Sequence, residues 1–141
     1  MVEPHPPLDE ILSRVCRHHP GVTSAYLFGS VARDQTHRQS DLDLGVLLDW
    51  NAHPSARDRF EERIRLTAEV GVALRRNDVD LVILNDAPPH LAREIVTRGR
   101  RVYCVDNVPD RAFLRTAMLR AADLDPFLRR TRRVKLKALA R

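Results

Sequence analysis

Aspartates interrupt two of the three short apolar runs in the first part of this chain. The runs lie at 25–28, 42–48 and 79–84; Asp41 and Asp43 stand at the start of the second and Asp80 near the start of the third. A carboxylate within a buried strand is unfavourable unless something compensates its charge. The pattern therefore predicts strands that bring three carboxylates together at one ligand site.

Strand geometry tells which of these side chains share a face. Alternate residues of a strand point the same way, so Asp41 and Asp43 lie on one face with Cα atoms roughly 6.6 Å apart. Leu42 and Leu44 then point to the opposite face, into a core. If the third run lies beside the second, Asp80 completes a cluster of oxygen ligands of the kind that Mg²⁺ prefers. Two ions about 3.5–4 Å apart are typical of phosphoryl-transfer sites.

A Gly-Ser pair, Gly29-Ser30, ends the first apolar run. Gly29 has no Cβ, so the backbone there can approach a phosphate closely. A short helix is predicted to begin just after Ser30, and a helix N-terminus favours anions. Arg33 lies one turn into that helix and can reach toward a triphosphate, while Ser40 directly precedes the aspartates and can bond a ligand or the backbone. These residues predict a phosphate-binding turn at Gly29-Ser30, with Arg33 and Ser40 as further ligand contacts.

The segment LFGSVARDQTHRQSDLDLGVLL at 27–48 resembles the signature of the polymerase-β-type nucleotidyltransferase superfamily, and in particular its minimal nucleotidyltransferases. The resemblance implies that Asp41, Asp43 and Asp80 are catalytic and hold two Mg²⁺ ions, with Asp80 helping to activate the attacking hydroxyl. It also implies that Gly29 and Ser30 contact the triphosphate of the substrate ATP.

The stretch at 111–127 is similar to the C-terminal helix of the antitoxin branch of that superfamily. In that branch the enzyme transfers AMP from ATP to a tyrosine of a HEPN-domain ribonuclease toxin and silences it. Two alternatives stay open: a small-molecule, aminoglycoside-type nucleotidyltransferase, and a binding antitoxin that acts by occlusion. The short chain disfavours the first, and the intact aspartates disfavour the second.

Composition and charge narrow the class of protein. With 141 residues and 43% apolar content the chain fits a single globular domain. No secretory signal or membrane-span pattern is visible, so we expect a cytoplasmic protein with no membrane partner. Residues 111–141 hold ten Lys/Arg and two Asp/Glu, a balance of +8. This basic segment is a solvated tail or docks on an acidic protein, and the lack of aromatic residues after Phe127 disfavours nucleic acid.

The order of apolar periods predicts an α/β fold, a small mixed β-sheet covered by helices. We expect a nucleotidyltransferase domain over 1–110 and a C-terminal helix with the basic tail over 111–141, packed together as a single domain. Helices are predicted over 8–16, 55–75, 88–99 and 113–124, and strands over 24–28, 41–49, 79–84 and 101–105.

Four further expectations concern individual side chains. We expect the second helix to turn its stripe of Phe60, Ile64, Ala68 and Val72 into the core. Asp86 is expected to cap the third helix, and Pro126 to break or kink the last one. His18 and His19 are expected to cap the first helix or to lie exposed.

Overall fold

A computed structural model describes the backbone of residues 7–29 and 41–139, and the side chains within those ranges as far as residue 123. The elements follow one another in the order α1 (Leu8–Arg17), β1 (Val22–Phe28), β2 (Leu42–Leu48), α2 (Ala56–Leu74), β3 (Val79–Ile83), a 3-10 turn (Leu84–Asp86), α3 (Pro89–Arg98), β4 (Arg100–Cys104) and α4 (Asn107–Leu139). The predicted fold class is confirmed.

The four strands form one mixed sheet in the order β3-β2-β1-β4. β1 pairs with β2 and with β4 in antiparallel fashion, whereas β2 and β3 run parallel because α2 connects them. In the described ranges, β3 and β4 are the edge strands.

Each face of the sheet carries its own apolar core. α1 and α2 cover one face, where Leu12, Leu66 and Leu44 are almost fully buried. α3 and the start of α4 cover the other face, where Ile95 packs with Tyr26. Within the described residues, no helix is long and apolar enough to cross a membrane.

The predicted inward stripe of α2 is wrong, because the helix is rotated. Phe60, Ile64 and Val72 are 55%, 54% and 80% exposed, and Ala68 is exposed as well. The buried face instead carries Arg59, Glu62, Leu66 and Val70. Its two charged members are compensated by ion pairs with distant segments, which hydrophobic periodicity cannot detect.

One of these ion pairs joins the first turns of α2 to the segment before α3. The guanidinium of Arg59 donates to both carboxylate oxygens of Asp86, each at 2.9 Å, and also to the carbonyl of His53 at 3.0 Å. Asp86 therefore pairs with α2 and does not cap α3, whose N-cap Pro88 has no side-chain cap.

The expectation for His19 is also wrong, since its side chain is buried between α1 and α2. Nδ1 bonds Glu62, and Nε2 bonds Glu69 at 2.6 Å. Burial lowers the pKa of His19, but the bonds to Glu69 and Glu62 and their negative charges outweigh it, so the pKa is raised above 6.5. The imidazolium thus links the two helices. Its neighbour His18 is exposed, as expected.

A buried carboxylate fastens α4 to the sheet. Asp110, 4% exposed in the first turn of the helix, accepts from the Ser24 hydroxyl at 2.7 Å and from the Tyr26 hydroxyl at 2.6 Å. Arg101 of β4 donates to it at 3.0 Å. Farther along, α4 continues through Pro126, so the predicted break there is wrong, while a kink at that residue stays a prediction. The predicted division at residue 110 stays a prediction; α4 begins before it.

We expect the stability of the protein to depend on the charge of His19. Because the pKa of His19 is raised on folding, its contribution is fully present below the unfolded pKa and is lost as pH rises through the folded pKa. Replacing His19 by Gln should lower the free energy of unfolding by roughly 2 kcal/mol at the acidic end of the pH range. The free energy of unfolding should also decline less steeply with rising pH than it does in wild type. Urea unfolding between about pH 6 and 9 measures this. The matched control is His18→Gln, and equal pH slopes for His19→Gln and wild type would contradict the assignment.

Candidate active site

The predicted carboxylates meet at one end of the β2–β3 pair. Asp43 of β2 stands opposite Asp80 of β3 in the parallel register, so their Cα atoms are on neighbouring strands about 4.8 Å apart. Asp41 directly precedes β2, one strand alternation from Asp43. The three residues therefore belong to one face and one end of the sheet.

The leucines between the aspartates determine which way the carboxylates point. Leu42 and Leu44 are fully buried and Leu81 is nearly so, all three in the core beneath α1 and α2. Since side chains alternate along a strand, Asp43 and Asp80 extend from the opposite face, on the side of α3. Asp80 is exposed and Asp43 is half-buried, so the cluster opens to solvent.

The carboxylates repel one another in the absence of a cation. Burial, followed by the charges of Asp80 and Asp41, raises the pKa of Asp43 above its ordinary value. A cation coordinated by oxygen atoms would relieve this repulsion.

Gly29 lies directly against this cluster. Its φ of +78° is in the left-handed region, and a Cβ added there would be 2.3 Å from Oδ2 of Asp43. The preceding residue, Phe28, is the β1 partner of Asp43, which brings the end of β1 to the start of β2. Glycine is needed here both for the backbone angle and for the space that the carboxylate occupies.

The structure thus brings Asp41, Asp43, Asp80 and Gly29 to one end of the sheet, and their catalytic, metal-binding and nucleotide-binding roles stay predictions. The other three predicted nucleotide contacts, Ser30, Arg33 and Ser40, lie outside the described residues. Among the described residues, no three His, Cys, Asp or Glu side chains are arranged tightly enough to hold a metal ion between them. The donor set of exposed and half-buried carboxylates nevertheless has the chemistry that suits Mg²⁺.

The sequence reasoning did not identify an ion pair beside this cluster. Arg76 donates from Nε and Nη2 to the two carboxylate oxygens of Asp78, at 2.8 and 2.7 Å, just before β3. The bond to Asp78 is the main cause that raises the pKa of Arg76, and the charge of Asp41 contributes. The carbonyl of Asp78 also accepts from the amide of Leu42 at 2.9 Å, where β2 begins beside β3. In the sequence, the one feature that relates this pair to the cluster is the alternation of Asp78 with Asp80.

We expect Asp80→Asn to stabilise the metal-free protein. Removing that charge lowers the pKa of Asp43 and relieves repulsion at neutral pH, so the midpoint of thermal unfolding should rise by about 2 °C. The sign follows from the raised pKa of Asp43: the penalty is present when both groups are ionised and vanishes as pH falls. The gain over wild type should therefore shrink in acid, measured by calorimetry in EDTA. Asp123→Asn, on the exposed side of α4, is the control; an unchanged midpoint in Asp80→Asn would show that the carboxylates do not interact.

Comparison with known proteins agrees with this geometry. Residues 10–108 match the family model for polymerase beta nucleotidyltransferases. The chain is 35% identical over 84 residues to the protein adenylyltransferase MntA of Shewanella oneidensis, and the alignment covers 60% of this chain. It spans about half of the relative, 55% of its length.

Solved structures share the fold over nearly the whole chain. A toxin-antitoxin crystal structure with AMP-PNP superimposes with a TM-score of 0.68 at 25% identity, covering 94% of this chain and 98% of the other. A second structure, of the tri-AMPylated Shewanella oneidensis HEPN toxin in complex with MNT antitoxin, matches with a TM-score of 0.63 at 23% identity, covering 95% and 97%. With its paired aspartates, its left-handed glycine and a family match over most of its length, the chain belongs to the polymerase beta nucleotidyltransferase family.

Proposed function

We propose that this protein transfers AMP from ATP to a tyrosine hydroxyl of a HEPN-domain ribonuclease toxin and so acts as its antitoxin. The register of Asp43 against Asp80, with Asp41 and Gly29 beside them, is the observation that carries the proposal. Two relatives support it: MntA is a protein adenylyltransferase, and an MNT antitoxin occurs in complex with an AMPylated HEPN toxin.

In this proposal, the end of β1 holds the nucleotide. Gly29 presents bare backbone beside Asp43, so a triphosphate can lie close to the chain there. Ser30, Arg33 and Ser40 complete the nucleotide contacts in the proposal: Ser30 and Ser40 through hydroxyls, and Arg33 through its positive charge.

Asp41, Asp43 and Asp80 would hold two Mg²⁺ ions. When bound, Mg²⁺ supplies positive charge to the phosphates and to the leaving pyrophosphate. Burial, and after it the charges of Asp80 and Asp41, raise the pKa of Asp43, so bound cations would stabilise the ionised carboxylates.

In this proposal, Asp80 activates the hydroxyl of the acceptor protein. It is exposed and lies on an edge strand, so a partner protein can reach it from the side. Its carboxylate orients the tyrosine hydroxyl and accepts its proton. The hydroxyl oxygen then forms a bond to the α-phosphorus of ATP, and the bond from that phosphorus to the bridging oxygen of the β-phosphate breaks, releasing pyrophosphate.

Labelled ATP tests the proposal directly. The protein is incubated with Mg²⁺, ATP labelled on the α-phosphate and a lysate of its source cells, beside the Asp41→Asn and Asp43→Asn variants. We expect label on one small protein, at a level roughly a hundredfold lower with either variant, because each removes a charge that the reaction uses. Mass spectrometry then identifies the acceptor protein and the modified residue.

Each other result assigns a different function. Label on a small molecule would support the aminoglycoside-type alternative. A partner that co-purifies and is silenced without label, also by the Asp41→Asn/Asp43→Asn double variant, would support inhibition by occlusion. Equal transfer by wild type and both single variants would overturn the assignment of the site.

Gly29→Ala should lower transfer through packing rather than charge. The new Cβ would lie 2.3 Å from Oδ2 of Asp43. Alanine would also have to adopt a left-handed backbone angle, which costs about 1 kcal/mol. We expect transfer to fall at least about tenfold while the protein stays folded, since a displacement near 1 Å at a reacting centre can cost up to about a hundredfold. Transfer assays with circular dichroism check this, and full activity in Gly29→Ala would show that Asp43 does not need its present position.

A further inference from the structure

A groove of about 630 Å³ follows the outer edge of β3. Leu81, Val82 and Ile83 form its strand side, and Phe60 and Arg63 of α2 form its helix side. In the described part of the chain, β3 pairs on its other side with β2. The groove is thus a strand edge flanked by a helix.

The backbone of β3 indicates what kind of molecule fits. The carbonyl of Asp78 faces β2, where it accepts from Leu42 at 2.9 Å. The carbonyl of Leu81 instead accepts from Nε of Arg63 at 2.9 Å, so it is turned outward into the groove. Backbone donors and acceptors alternate along such an edge, and an extended polypeptide is the ligand that matches them.

The side chains around the edge favour an acidic segment with an apolar residue. Phe60 is 55% exposed, so it can take up an apolar side chain. Arg57 lines the groove with its side chain 87% exposed, and its pair with Glu61 at 3.4 Å lies on the surface, where such pairs are weak. The carboxylate of Asp86 is already neutralised by Arg59. The charge left for a ligand is positive.

The groove leads to the proposed catalytic carboxylate. Leu81 directly follows Asp80, and Ile83 at the far end is about 10 Å from Asp80 along the strand. A chain lying along the edge would therefore bring one of its residues to Asp80.

We propose that an extended, acidic segment of the acceptor protein pairs with the outer edge of β3 in this groove and presents its hydroxyl to Asp80. This rests on the proposed function, which it deepens by assigning the surface that selects the acceptor. The segment displaces Arg63 from the Leu81 carbonyl or bonds beside it, and Phe60 and Arg57 provide its apolar and charged contacts.

Steady-state transfer to the purified acceptor protein, as identified by labelling, tests the docking surface. We compare Phe60→Glu with Val72→Glu, which places the same charge on the same helix at a site 80% exposed and outside the groove. Phe60→Glu should raise KM for the acceptor about tenfold and leave KM for ATP within about twofold, because docking is lost but the nucleotide site is untouched. Val72→Glu should match wild type.

A second variant separates docking from folding. Arg57→Glu reverses an exposed charge whose ion pair with Glu61 lies on the surface. It should raise KM for the acceptor by about threefold or more, and the difference from wild type should diminish in high salt. Thermal unfolding of all variants is measured alongside.

The outcomes distinguish this inference from the proposed function. No transfer by wild type overturns the proposed function and the inference with it. Normal wild-type transfer with unchanged acceptor KM in both Phe60→Glu and Arg57→Glu overturns the docking groove alone. An equal rise in KM for Val72→Glu and Phe60→Glu also overturns it, because the outer face of α2 as a whole would then be the docking surface.

Discussion

The parallel pairing of β2 with β3 is the constraint on which the other features depend. It places two carboxylates, Asp43 and Asp80, on adjacent strands in the same register, an arrangement that repels. What holds it is apolar burial on the reverse face, where Leu42, Leu44 and Leu81 are almost fully buried. The leucines and aspartates alternate, so the residues that stabilise the sheet also direct the charges outward.

Much of this arrangement could be predicted from the sequence because it is encoded locally. Alternation within DLDL at 41–44 determines which side chains share a face, and the helix and strand periods are strong enough to give the fold class. The glycine at position 29 was identified as a place of close approach, but its neighbour was not. That the space it leaves is filled by Asp43 depends on the pairing of β1 with β2, which a linear pattern does not determine.

The orientation of α2 could not be predicted for a related reason. Its sequence offers an apolar stripe, and hydrophobic burial alone would turn that stripe inward. The helix turns Arg59 and Glu62 inward instead, because Asp86 and His19 are there to pair with them. Trp50 adds to this site, with the guanidinium of Arg59 lying 4.9 Å from the centre of its ring. These partners come from separate segments of the chain. The inward orientation of Arg59 and Glu62 therefore becomes apparent only in the folded structure.

The position of Asp110 has a consequence for where this family fold can be cut. The family match ends at residue 108, two positions before the carboxylate that accepts from Ser24, Tyr26 and Arg101. A fragment ending with the match would leave two hydroxyls and a guanidinium on β1 and β4 without their common acceptor, next to a face stripped of α4. The stretch that matches the family model is therefore shorter than the unit that packs together in this structure. The beginning of α4 is hydrogen-bonded to the sheet and packs with it as one unit.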